Sequence, residues 1–96
     1  MVNRDAAGGV TRVDKPWGYE LHWAVTDRYV GKVLHIDAGH ALSLQYHVKK
    51  EETILLWGGK LLFEIGTADD LQRIEMMPGD RVHVAPGTVH RMTALE

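Results

Sequence analysis

Gly39-His40-Ala41-Leu42-Ser43-Leu44-Gln45-Tyr46-His47-Val48-Lys49-Lys50-Glu51-Glu52 is the stretch on which the fold turns. Leu42, Leu44, Tyr46 and Val48 alternate with Ala41, Ser43, Gln45 and His47. A period of two marks an extended strand, whose successive side chains point to opposite faces. The same rhythm runs through most of the chain. Tyr19, Leu21, Trp23 and Val25 alternate with Glu20, His22 and Ala24, and Arg81, His83 and Ala85 alternate with Val82 and Val84. Ile54-Leu55-Leu56-Trp57 and Leu61-Leu62-Phe63-Glu64-Ile65 flank Gly58-Gly59-Lys60, which reads as a hairpin. Residues 68–74 fit one helical turn, and a strand over Leu71–Met77 fits equally well. Lys15-Pro16-Trp17-Gly18 reads as a turn, since proline fixes φ and glycine frees it. Residues 1–13 show no sustained period and read as a loose N-terminal arm. Short strands with glycines at regular intervals predict an all-β sandwich or barrel over residues 14–96.

Composition narrows the function. Ninety-six residues allow one domain, and a chain of this size buries only ~60–65% of its unfolded surface. There is no cysteine, so neither a disulfide nor a thiolate metal site reinforces the core. A staple would have to be a non-thiolate metal site or a partner subunit. Eleven basic against thirteen acidic residues give a net charge of −2, which supplies no basic field for nucleic acid or an anionic membrane. The apolar runs are too short to span a bilayer, and the N-terminus has no signal-peptide pattern, so a cytoplasmic location is expected. Six histidines in so short a chain are the remaining feature to explain.

Gln45 and His47 share one strand face. Glu52 follows His47 by five residues, and His90 lies just past the turn Pro86-Gly87-Thr88. Two imidazoles, a carboxylate and an amide oxygen compose a four-ligand set for a divalent ion with room for water or substrate oxygens. Without thiolate the candidates are Zn, Mn, Fe, Co or Ni. On spacing alone Glu51 competes with Glu52 for the carboxylate position.

The arrangement resembles the cupin superfamily. Its first motif is matched by Gly39, five residues, Gln45, one residue, His47, four residues, Glu52, six residues and Gly59. Cupins usually hold a histidine where Gln45 stands. The second motif is matched by Gly79, Pro86, Gly87 and His90, with Ala85 at the usual proline position and Ala94 where asparagine is common. Lys15-Pro16-Trp17-Gly18-Tyr19-Glu20, Leu42-Ser43-Leu44-Gln45-Tyr46-His47 and His90-Arg91 are similar to signatures of type II mannose-6-phosphate isomerases. These occur alone or as the C-terminal domain of bifunctional mannose-1-phosphate guanylyltransferases. The resemblance covers about residues 14–94. It implies a single-domain jelly roll, with Gln45, His47, Glu52 and His90 as metal ligands. Family domains continue with further strands beyond the His90 position, whereas this chain stops at Glu96, so a small barrel short of its late strands is expected. The implied chemistry is aldose–ketose exchange of a sugar phosphate through a metal-stabilised cis-enediol. The rivals are a non-catalytic metal- or small-molecule-binding cupin, or another metal-dependent cupin enzyme such as a dioxygenase or cyclase.

Ser43, Arg91 and His83 are the candidate substrate contacts. Ser43 shares the alternation of Gln45 and His47, and Arg91 offers a guanidinium suited to oxyanions. Strand alternation argues against Arg91, since it points away if His90 points inward. No residue stands out as general base; a glutamate near the metal or His83 are the guesses. The remaining histidines, His22, His35 and His40, read as solvated or sheet-face residues. Lys49 and Lys50 read as solvated loop residues. Leu44, Tyr46, Met76, Met77 and Met92 read as packing, and Trp17, Trp23 and Trp57 as core or interface. Open strand edges and three indoles lead to the expectation of a homodimer.

Overall fold

The computed structural model describes residues 8–96; residues 1–7 of the expected arm lie outside that range. Every regular element among the described residues is a β-strand. Among these residues no helix is long and apolar enough to cross a membrane. The contacts fall into two compact units, residues 1–35 and 36–96.

The first unit is an antiparallel sheet in the order β1-β2-β3, with β1 at Thr11–Lys15, β2 at Gly18–Val25 and β3 at Val30–Ile36. The Pro16-Trp17 turn joins β1 to β2, pairing Lys15 with Gly18 and Thr11 with His22. Residues 11–13 are therefore strand and not arm. Their one apolar side chain, Val13, gave no visible period, and β2 recruits them by backbone pairing. Between β2 and β3, the Thr26 hydroxyl accepts hydrogen bonds from the Arg28 and Tyr29 amides at 3.1 and 3.0 Å. This sheet buries a charge and exposes apolar groups. Glu20 is buried, held by His22 Nε2 at 2.8 Å and Lys32 Nζ at 3.4 Å. Burial alone pushes its carboxyl up, but the His22 hydrogen bond and the Lys32 and Lys15 charges outweigh that and hold it below its ordinary value. Trp23 is 60% exposed. Its indole lies over Gly31, so tightly that no Cβ fits there. Trp23 thus covers a glycine on the sheet surface and contributes nothing to a core.

The second unit contains β4 (Glu52–Leu55), β5 (Leu61–Thr67), β6 (Asp70–Met76), β7 (Arg81–Val84) and β8 (Val89–Ala94). They form a three-stranded sheet, β6-β5-β8, and a two-stranded ribbon, β4-β7, all antiparallel. Leu61, Phe63, Met76, Val84 and Met92 are its buried core, with Ile54, Val82, Leu42 and Ile65 packed against them. Residues 70–76 resolve as strand rather than helical turn. Two turns share one construction: Met77-Pro78-Gly79-Asp80 and Ala85-Pro86-Gly87-Thr88 each close with an amide-to-carbonyl bond, at 3.0 and 3.2 Å. Gly79 and Gly87 have φ of 95° and 81°, the left-handed conformation that a type II turn requires after proline.

The structure departs from the sequence expectation in three further places. The β4–β5 hairpin does not form. β5 is a central strand with both edges taken, by β6 and β8, while β4 pairs with β7. The pairing of β4 runs on to Leu56, which exchanges backbone hydrogen bonds with Gly79 and Asp80. Second, residues 41–48 are not a continuous strand; they meet β8 only at Ala41↔Thr93 and Gln45↔His90. Four steps on one side oppose three on the other, so one extra residue bulges out between them. Leu44, Tyr46 and Val48 are exposed, as is Trp57 at 88%. Third, no strand pairing closes the described residues into a barrel.

Candidate metal centre

His90 stands on the inner face of β8, opposite Ile65 of β5 and 1% exposed. Its Nδ1 donates to the Thr88 carbonyl at 3.1 Å. A carbonyl only accepts, so the proton sits on Nδ1 and Nε2 presents its lone pair. Such a bond from the far ring nitrogen is the usual way a ligating histidine is oriented. The Phe63 ring lies parallel to the imidazole, 6.0 Å away between centroids.

Glu52 opens β4 opposite Val84, on the face of the ribbon that packs into the core. His47 is placed by the loop. Its carbonyl accepts the Gly87 amide at 2.7 Å, which ties the loop to the turn preceding β8. Gln45, two residues earlier, exchanges two backbone hydrogen bonds with His90, at 3.0 and 2.8 Å. Directly paired residues share a sheet face, so the ladder brings Gln45 to the His90 side.

These elements bring His47, Glu52 and His90 together, one ligand atom from each lying within 4.8 Å of the others. His47 Nε2 is 3.3 Å from Glu52 Oε1, and His90 Nε2 is 3.8 Å from Glu52 Oε2. Donors bound to one zinc-sized ion at about 2.1 Å lie roughly 3–4 Å apart, so the cluster is close to ligating dimensions. Two neutral imidazoles and one carboxylate would leave a divalent ion with net positive charge and open positions, which fits the donor set of a catalytic-type site. Lys50 also reaches the cluster, its Nζ 2.9 Å from Glu52 Oε1.

The candidate substrate contacts fall elsewhere. Ser43 is exposed within the bulged segment, where the alternation linking it to Gln45 is interrupted. His83 pairs with Thr53, on the opposite ribbon face from Glu52. It contacts the Thr53 hydroxyl at 3.1 Å and Glu51 at 3.3 Å. Arg91 faces away from the core, giving Nε and a terminal nitrogen to Glu64 Oε1 at 3.0 and 2.9 Å. Glu64 is buried and has a second, longer partner in Arg73 at 3.9 Å.

Sequence reasoning passed over Glu64 and read Lys50 only as a solvated loop residue, whereas its ammonium pairs with Glu52. Glu64 had a signal: a lone acid inside Leu61-Leu62-Phe63-Glu64-Ile65 has to find a cation. Lys50 had none, because nothing in an irregular loop marks which lysine folds back.

Comparison with protein-family profiles, with curated proteins and with solved structures found no match.

Proposed function

We propose that this chain is a divalent-metal-binding domain of cupin type, with His47, Glu52 and His90 as ligands and Gln45 as the fourth. The observation that carries the reading is the convergence of three ligand atoms within 4.8 Å from residues 47, 52 and 90. Support also comes from the Thr88 carbonyl, which holds His90 in the ligating tautomer. Antiparallel sheets joined by glycine turns accord with a small jelly roll. The cupin motifs point to a sugar phosphate as substrate and to aldose–ketose isomerisation resembling that of type II mannose-6-phosphate isomerases. A bound metal would supply Lewis acidity to the sugar oxygens. The test is metal content: wild type should hold about one ion per chain, with His47→Ala and His90→Ala holding far less. Equal content in all three would sink the reading.

A second reading, metal binding without sugar-phosphate turnover, is favoured by Arg91. The guanidinium best suited to a phosphate is committed to Glu64. A coupled assay with fructose 6-phosphate decides between them. Little or no turnover is expected, and robust metal-dependent turnover would establish the isomerase.

A further inference from the structure

Lys50 and His47 approach the same oxygen. Glu52 Oε1 lies 2.9 Å from the Lys50 ammonium and 3.3 Å from His47 Nε2. An ion ligated by His47 and Glu52 would need the space and the charge that Lys50 now occupies. A positive charge at this distance opposes a dication. The Lys50 side chain is 51% exposed, so its ammonium has a path to solvent. Glu52 cannot follow it, because β4 fixes its backbone against Val84.

We propose that Lys50 is a built-in competitor for the metal. With no ion bound, its ammonium neutralises Glu52 and keeps the carboxylate from standing unpaired beside two imidazoles. Metal entry displaces the lysine outward, so the two cations exclude one another at one carboxylate. The lysine lowers the affinity of the site and makes its occupancy depend on the free metal concentration. This inference rests on the metal-binding reading above.

Lys49 supplies the control. It is the adjacent residue, carries the same charge, is exposed and has no ion pair among the described residues. Zn²⁺ is titrated calorimetrically into metal-stripped full-length wild type, Lys50→Met and Lys49→Met. Lys50→Met should bind about two- to fivefold more tightly, the range expected for releasing a half-exposed ion pair. Lys49→Met should match wild type. In parallel, acetylation of Lys50 by an amine-reactive ester, read by mass spectrometry, should rise when Zn²⁺ is added to wild type. The proposal is overturned if Lys50→Met binds no more tightly than wild type. It is equally overturned if Lys49→Met tightens binding as much, which would mean a general field effect, or if Zn²⁺ leaves Lys50 labelling unchanged. Loss of binding in His47→Ala and His90→Ala alongside any of these results would leave the metal site standing without the competitor.

Discussion

Replacing Arg91 by Met tests whether this guanidinium serves the fold or a ligand. Glu64 has a side chain only 8% exposed, and Arg91 gives it two bonds of 2.9 and 3.0 Å. The other partner, Arg73, stands 3.9 Å away with a side chain 75% exposed, too distant and too solvated to take over. Breaking a buried pair by removing one partner costs about 3–5 kcal/mol, because the remaining charge is left uncompensated. Arg91 is itself 38% exposed, so water and Arg73 recover part of this, and about 2 kcal/mol is expected. With a urea m-value of roughly 1–2 kcal/mol/M for a domain this small, the unfolding midpoint should fall by about 1–2 M at constant m. The double variant Glu64→Leu/Arg91→Met should recover most of the loss, since an apolar pair in place of a buried ion pair is often neutral. Zinc affinity should not change in either protein. A midpoint within about 0.3 M of wild type, or a loss of metal binding without loss of stability, would refute the assignment of Arg91 to the fold.

Three further outcomes follow from the geometry. Gly87→Ala forces a Cβ into a left-handed φ of 81° with open space around it, so it should cost about 1–2 kcal/mol in denaturant and loosen zinc binding through the Gly87–His47 bond; unchanged stability would contradict the turn assignment. The Glu20 carboxyl is held below its ordinary value, so its ionised form stabilises the fold. That contribution is complete above the unfolded value of about 4.3 and disappears as pH falls through the lower folded value. Glu20→Gln should accordingly be less stable than wild type at neutral pH and converge with it in acid, and a gap that widens on acidification would show the sign to be wrong. Trp57, Val48 and Tyr46 are solvent-exposed apolar groups that a second copy would cover, so light scattering at micromolar concentration should give a dimer mass, against which a monomer would count.

What was legible in the sequence was what local periodicity encodes. β2 and β7 lie where the alternation of Tyr19–Val25 and Arg81–Ala85 put them, and β5 where the apolar run Leu61–Ile65 put it. The glycine and proline turns did as well, because backbone chirality decides them locally. Partner choice was not legible. Gly58-Gly59-Lys60 suggested that β4 folds back on β5, but β5 buries Leu61 and Phe63 between β6 and β8, and the core contacts that select those neighbours come from residues 76 and 92. β3 was missed because Val30-Gly31-Lys32-Val33-Leu34 does not alternate cleanly. Leu42–Val48 alternates well and still fails as a strand, since its register on β8 slips by one residue between Ala41 and Gln45. The site fared better than the strand that was meant to carry it. His47, Glu52 and His90 converge through the Gly87 turn and the His90 ladder, whereas Lys50 reaches Glu52 by a loop path no periodicity could show.

The placement of Trp23 over Gly31 has an optical consequence. The unit of residues 1–35 holds Trp17 and Trp23, and the unit of residues 36–96 holds only Trp57, which is 88% exposed. Trp57 already emits from water, so its spectrum has little left to change on unfolding. Intrinsic fluorescence of this chain therefore reports the β1-β2-β3 sheet, where the indole of Trp23 is stacked on backbone. The metal centre belongs to the unit of residues 36–96, whose one indole, Trp57, already stands in water and is therefore a poor reporter of it.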